Sequence, residues 1–173
     1  MIRSFFTIVL TSFAIQLAFA SPDTSPAAPS LLQKVGEAKL RVLFWDIYHS
    51  RLYTESGDYQ RGQRPLKLEI QYLLDIESDA LVDRTRSEWE DQGLENDNQE
   101  QWLQALRELW PDVSQDDVLV LEIDDDNRST FYHNGNRLGV IEDAGFGQQF
   151  VDIWLAPTTT RPELRLALIG ADD

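Results

Sequence analysis

The chain has 173 residues, 15 Lys and Arg against 30 Asp and Glu, a formal charge of −15 and no cysteine. That length is one ordinary domain with enough chain to bury a core, and the missing cysteines exclude disulfides, thiolate metal sites, cysteine nucleophiles and a lipid-modified N-terminal cysteine. The acidic balance repels nucleic acid and anionic headgroups, so no nucleic-acid partner is expected, and the excess acid reads first as a solubilising coat.

In chain order, Met1-Ile2-Arg3, the apolar run Phe5–Ala18 and the small-residue site Ala18-Phe19-Ala20 predict a secretory signal over residues 1–20. Cleavage is expected after Ala20, giving a periplasmic or secreted protein with no membrane span left after cleavage. Loss of Arg3 leaves 14 basic against 30 acidic residues, hence −16 for the mature chain. Ser21–Ser30, with three prolines and no apolar period, predicts a poorly ordered lead-in to a domain spanning 31–173.

Gln33–Glu37 and Lys39–Phe44 read as strand, the second run continuing from Ile47 to Tyr53. Ser56-Gly57-Asp58 and Arg61–Pro65 are loop chemistry. Leu66, Leu68, Ile70 and Tyr72 alternate with Lys67, Glu69 and Gln71, which specifies a half-buried strand. Ser78 is the expected cap of a helix over Asp79–Gln92 with Leu81, Val82, Thr85 and Trp89 on one face and Gly93 at its end. A second helix follows over Gln99–Leu109 and leaves at Trp110-Pro111.

Strands Val118–Ile123, Ser129–His133 and Arg137–Ile141 come next, with an acidic turn at Asp124–Asn127 and a hairpin turn at Asn134-Gly135. Asp143 is the expected cap of a helix carrying Phe146, Phe150, Ile153 and Trp154, and Pro162–Ile169 predicts a last helix closed by Gly170. Hairpins feeding directly into helices specify an α+β fold rather than parallel βαβ units.

Chemistry-bearing motifs are sparse. His49 and His133 lack a serine or second histidine at motif spacing, and Asp124-Asp125-Asp126-Asn127 lacks the spacing of an EF-hand loop, so neither metal nor cofactor is expected. The candidate ligand-binding residues are Arg41, Tyr48, Tyr72, Arg84 and Trp89, two guanidiniums suited to a carboxylate and three aromatics suited to an apolar body.

The blocks LRVLFWDIYHSRLY (40–53), FYHNGNRLGVIEDAGFGQQFVDIWL (131–155) and TRPELRLALIG (160–170) together resemble the bacterial chalcone isomerase-like family. The resemblance implies an open-faced β-sandwich, a curved antiparallel sheet covered on one face by helices. It also implies where catalytic members hold their donors, and there this chain departs. Gly36 stands at the position of their arginine, Tyr48 at that of a threonine, and Ile153 at that of a helix threonine or serine. The expected function is therefore non-catalytic binding of an amphipathic small molecule such as a fatty acid. Two alternatives stay open: an intramolecular lyase or isomerase using Arg41, Tyr48 and Tyr72, and an envelope protein-interaction module marked by an apolar patch on the uncovered sheet face. Oligomeric state and protein partners are not legible.

Overall fold

The computed structural model describes residues 31–171; the expected signal and lead-in lie outside the described residues. Within them six strands form one sheet in the order β1-β2-β3-β4-β5-β6, every neighbouring pair antiparallel. The strands are β1 (Gln33–Val42), β2 (Trp45–Thr54), β3 (Leu66–Tyr72), β4 (Val118–Ile123), β5 (Ser129–His133) and β6 (Asn136–Ile141). Helices α1 (Ser78–Asp91) and α2 (Gln99–Leu109) interrupt the meander after β3, and α3 (Phe146–Leu155) and α4 (Pro162–Leu168) follow β6. This is the α+β, open-faced arrangement read from the sequence, and the long elements fall within two residues of their expected ends.

Alternation decides which face the helices cover. Leu66, Leu68, Ile70 and Tyr72 of β3 are buried beside Leu52 of β2, Leu119, Leu121 and Ile123 of β4 and Phe131 of β5. Intervening residues face the other way. That uncovered face is polar: Arg51 pairs with Glu69 at 2.9 Å, and the Lys67 ammonium lies 4.1 Å from the centre of the Tyr53 ring. Among the described residues the large apolar side chains that stand exposed are Leu31, Leu166 and those at the tip of the first hairpin, not on this face.

Three local expectations are corrected. Ser78 opens α1 without capping it; no side chain caps the preceding Glu77 position, and the Ser78 N–H instead donates to Asp112 Oδ1 at 2.8 Å. Asp143 sits three residues before the start of α3, where its carboxylate accepts from the Gly145 N–H at 2.9 Å and from Trp102 Nε1 at 3.0 Å. It ties α2 to the entry of α3. The third concerns the first hairpin: Lys39–Phe44 does not run on as strand, because the chain reverses at Leu43-Phe44. Leu43 takes φ +55° there, and Phe44 is 95 % exposed rather than packed.

Helix α4 returns to the start of the chain. A Cβ on Gly36 of β1 would lie 2.1 Å from the Ala167 carbonyl oxygen and 2.7 Å from that of Leu168. Only glycine lets strand and helix approach so closely.

Candidate functional site

The sheet–helix interface is not filled throughout. A cavity of about 440 Å³ lies between the sheet and helices α1 and α3. Leu68, Ile70, Leu119 and Leu121 form its sheet wall, and Leu81, Phe150 and Ile153 its helix wall. Its size is that of a small-molecule pocket, roughly 300–1,000 Å³.

One end of this apolar chamber is polar. Tyr48 and Tyr72 are cross-strand partners on the covered face, their ring centroids 6.2 Å apart. The Tyr48 hydroxyl accepts a hydrogen bond from Trp154 Nε1 at 2.7 Å, so its own proton is free to be donated. Burial pushes Tyr48 up to about 12, against a smaller opposing effect of the Trp154 hydrogen bond. Burial likewise raises Tyr72, helped by Tyr48 beside it. Both are neutral donors at any ordinary pH.

Three charged side chains share this end. Arg84 and Glu88, one turn apart on α1, form an ion pair, and Glu88 also accepts from the Thr160 hydroxyl at 2.9 Å. Arg161, immediately before α4, lines the cavity with no carboxylate within 4 Å among the described residues. Two cations and one anion leave this end with a local charge of +1 in a chain of −15. The unmatched guanidinium is a fork for two acceptor oxygens at the end of an apolar chamber.

The five candidates from the sequence divide accordingly. Tyr48, Tyr72 and Arg84 line the cavity; Arg41 and Trp89 do not. Arg41 lies between Leu40 and Val42, which face the cavity, so strand alternation turns it outward to Asp46, where Nε meets Oδ1 at 2.6 Å. Trp89 follows Glu88 by one residue, a rotation of about 100° on a helix, and is thereby turned from the cavity into the core. It is 1 % exposed there, donates to the Gln149 carbonyl at 3.3 Å and packs edge-on to Trp102.

Arg161, Glu88 and Trp154 were not legible as site residues. For Arg161 the only sequence signal is its place before Pro162, which disfavours helical backbone at Arg161 and sets the helix start behind it. Of the positions the resemblance singled out, Gly36 is sealed under α4 and Ile153 lines the cavity with an aliphatic side chain. Guanidinium and hydroxyl groups nevertheless converge on the cavity from other positions.

A chalcone isomerase-like family model matches residues 19–170. An uncharacterised protein of Haemophilus influenzae is 32 % identical over 139 residues, 80 % of this chain and 68 % of that protein. Among solved structures, a fatty-acid binding protein of Arabidopsis thaliana superposes with a TM-score of 0.64 at 15 % identity, covering 88 % of this chain and 95 % of its own.

Proposed function

This chain belongs to the chalcone isomerase-like family, and from that footing we propose that it is a non-catalytic carrier of a long-chain fatty acid or similar amphipathic carboxylate. One observation carries the reading: Arg161, an arginine with no acidic partner among the described residues, stands at the polar end of an otherwise apolar cavity. The carboxylate would take the Arg161 fork and the Tyr48 and Tyr72 hydroxyls, and the acyl chain would lie along Leu68, Ile70, Leu121 and Ile153. The fold shared with a plant fatty-acid binding protein supports the same choice.

Purified protein extracted under native conditions and examined by mass spectrometry is expected to release fatty acids, and oleate should displace a fluorescent fatty acid from it. Arg161→Met should weaken oleate binding about 10- to 100-fold, the worth of a charged hydrogen bond of roughly 1.5–3 kcal/mol. Protein that is reproducibly ligand-free and indifferent to oleate ends this reading.

The convergence of Arg84, Arg161, Tyr48 and Tyr72 favours a second reading, an intramolecular lyase that steadies developing negative charge with these donors. A chalcone-to-flavanone absorbance assay above the spontaneous rate, reduced in Tyr48→Phe, would support it; the spontaneous rate alone would dismiss it. The N-terminal features support export to the periplasm, for which fractionation should find a mature chain beginning at Ser21.

A further inference from the structure

The β1–β2 hairpin ends in four consecutive apolar residues left exposed among the described residues: Val42, Leu43, Phe44 and Trp45 are 39, 83, 95 and 71 % exposed. The turn itself is unusual. Two-residue hairpin turns with positive φ normally place Gly or Asn there, as this chain does at Asn134-Gly135 with φ +50° and +79°. At Leu43 a bulky side chain holds φ +55° instead, a backbone conformation that costs it conformational freedom. Sequence and backbone together display a wedge of Leu, Phe and Trp at the tip.

We propose that this tip inserts into the surface of a lipid bilayer and that fatty acid passes along it between membrane and cavity, an inference that rests on the carrier reading above. Three observations select a bilayer over a protein. Leu43, Phe44 and Trp45 offer at most roughly 600 Å² between them, less than the ~800 Å² per partner of a stable protein interface. A bilayer needs no matching surface, and Trp and Phe beside basic residues are the composition of interfacial anchors. The collar has that charge: Lys39 and Arg41 flank the tip, both bonded to Asp46, leaving a local +1 in a chain of −15. Third, the wedge is continuous with the chamber. Val42 is exposed at the tip and also lines the cavity, as do Leu40 and Ile47 on the two strands behind it. An acyl chain leaving the bilayer along these side chains stays on apolar surface.

The remaining acidic surface repels anionic headgroups, so contact is confined to the tip. Trp45 is a built-in reporter, since Trp89, Trp102 and Trp110 are buried and Trp154 is half-buried. With phosphatidylcholine vesicles, alone or containing phosphatidylglycerol, acyl chains brominated near the headgroup should quench Trp45. Phe44→Ser should lower vesicle partitioning about tenfold or more. Transfer of a fluorescent fatty acid from vesicles should slow by a similar factor in the Phe44→Ser/Trp45→Ser variant, with affinity for the same fatty acid free in solution unchanged. Both residues are exposed, so the variants should fold, and circular dichroism checks this.

Unquenched Trp45 together with unchanged transfer overturns the proposal. So does concentration-dependent self-association that the double variant abolishes while vesicles leave Trp45 untouched. Quenching without any solution affinity for fatty acid defeats the carrier reading while leaving the bilayer contact established.

Discussion

The two halves of the sheet–helix interface are built from the same residue types and end differently. Under α2 and the start of α3, rings interlock: Phe146 lies 5.7 Å from Trp102, 6.0 Å from Phe131 and 5.4 Å from Phe150. Gly147 brings α3 down so closely that a Cβ would lie 2.6 Å from Ser129 Oγ and 3.0 Å from Ile123 Cδ1. Under α1 and the end of α3, Leu, Ile and Ala stand with Phe131 and Phe150 around a chamber of about 440 Å³. A void forfeits dispersion contacts on its whole lining. One half therefore supplies the stability that lets the other remain open, and the paired tyrosines and the arginines Arg84 and Arg161 stand around the open half.

Truncation separates the halves most sharply. Phe146→Ala, in the filled half, should cost about 3–5 kcal/mol in urea unfolding. In the open half the same measurement with oleate at about a hundred times its dissociation constant should raise stability by about 2.7 kcal/mol, and a ligand-independent midpoint would deny that the chamber is a binding site.

Alkali probes the polar end. Tyr48, held near 12 by burial against the ordinary tyrosine value of about 10, favours the folded state fully below pH 10 and withdraws that support as pH climbs towards 12. Two pH units amount to about 2.7 kcal/mol. Stability should fall across that window, and Tyr48→Phe should flatten the fall; an unchanged profile would place the hydroxyl in water.

Enlarging side chains gives smaller effects of opposite character. Gly147→Ala in the filled half should cost about 1–3 kcal/mol through overpacking, despite the better helix propensity of alanine. Ala80→Leu, on the chamber wall, should change stability by less than about 1.5 kcal/mol while weakening oleate binding. Equal penalties at the two positions would mean the two halves are equally full.

Most of the architecture was legible because it rests on local periods. Alternation through Leu66–Tyr72, the Asn134-Gly135 turn and the 3.6-residue spacing of Trp102, Leu103 and Leu106 each name their element without help from the rest of the chain. The first hairpin was not legible because Leu43-Phe44 lacks turn chemistry and reads as continued strand. The site was legible in part. Tyr48, Tyr72 and Arg84 follow from which face of an element is covered, whereas Trp89 needed the finer distinction between neighbouring positions on α1. Arg161 could not be found this way, since its place at the chamber depends on where α4 docks, and no pattern in Thr159–Pro162 encodes that.

The docking of α4 over β1 has a consequence for how the polypeptide matures. A ribosome delivers residues 33–42 well before residues 162–168, yet Gly36 meets the Ala167 and Leu168 carbonyls and Gly170 approaches that of Val35. The opening strand therefore waits for the final helix to emerge before its covered side is sealed, and such sequence-distant closure is slow relative to local helix formation. A nascent chain truncated anywhere before residue 162 would leave that edge unsealed, which makes the C-terminal turn of helix the latch on folding of the whole domain.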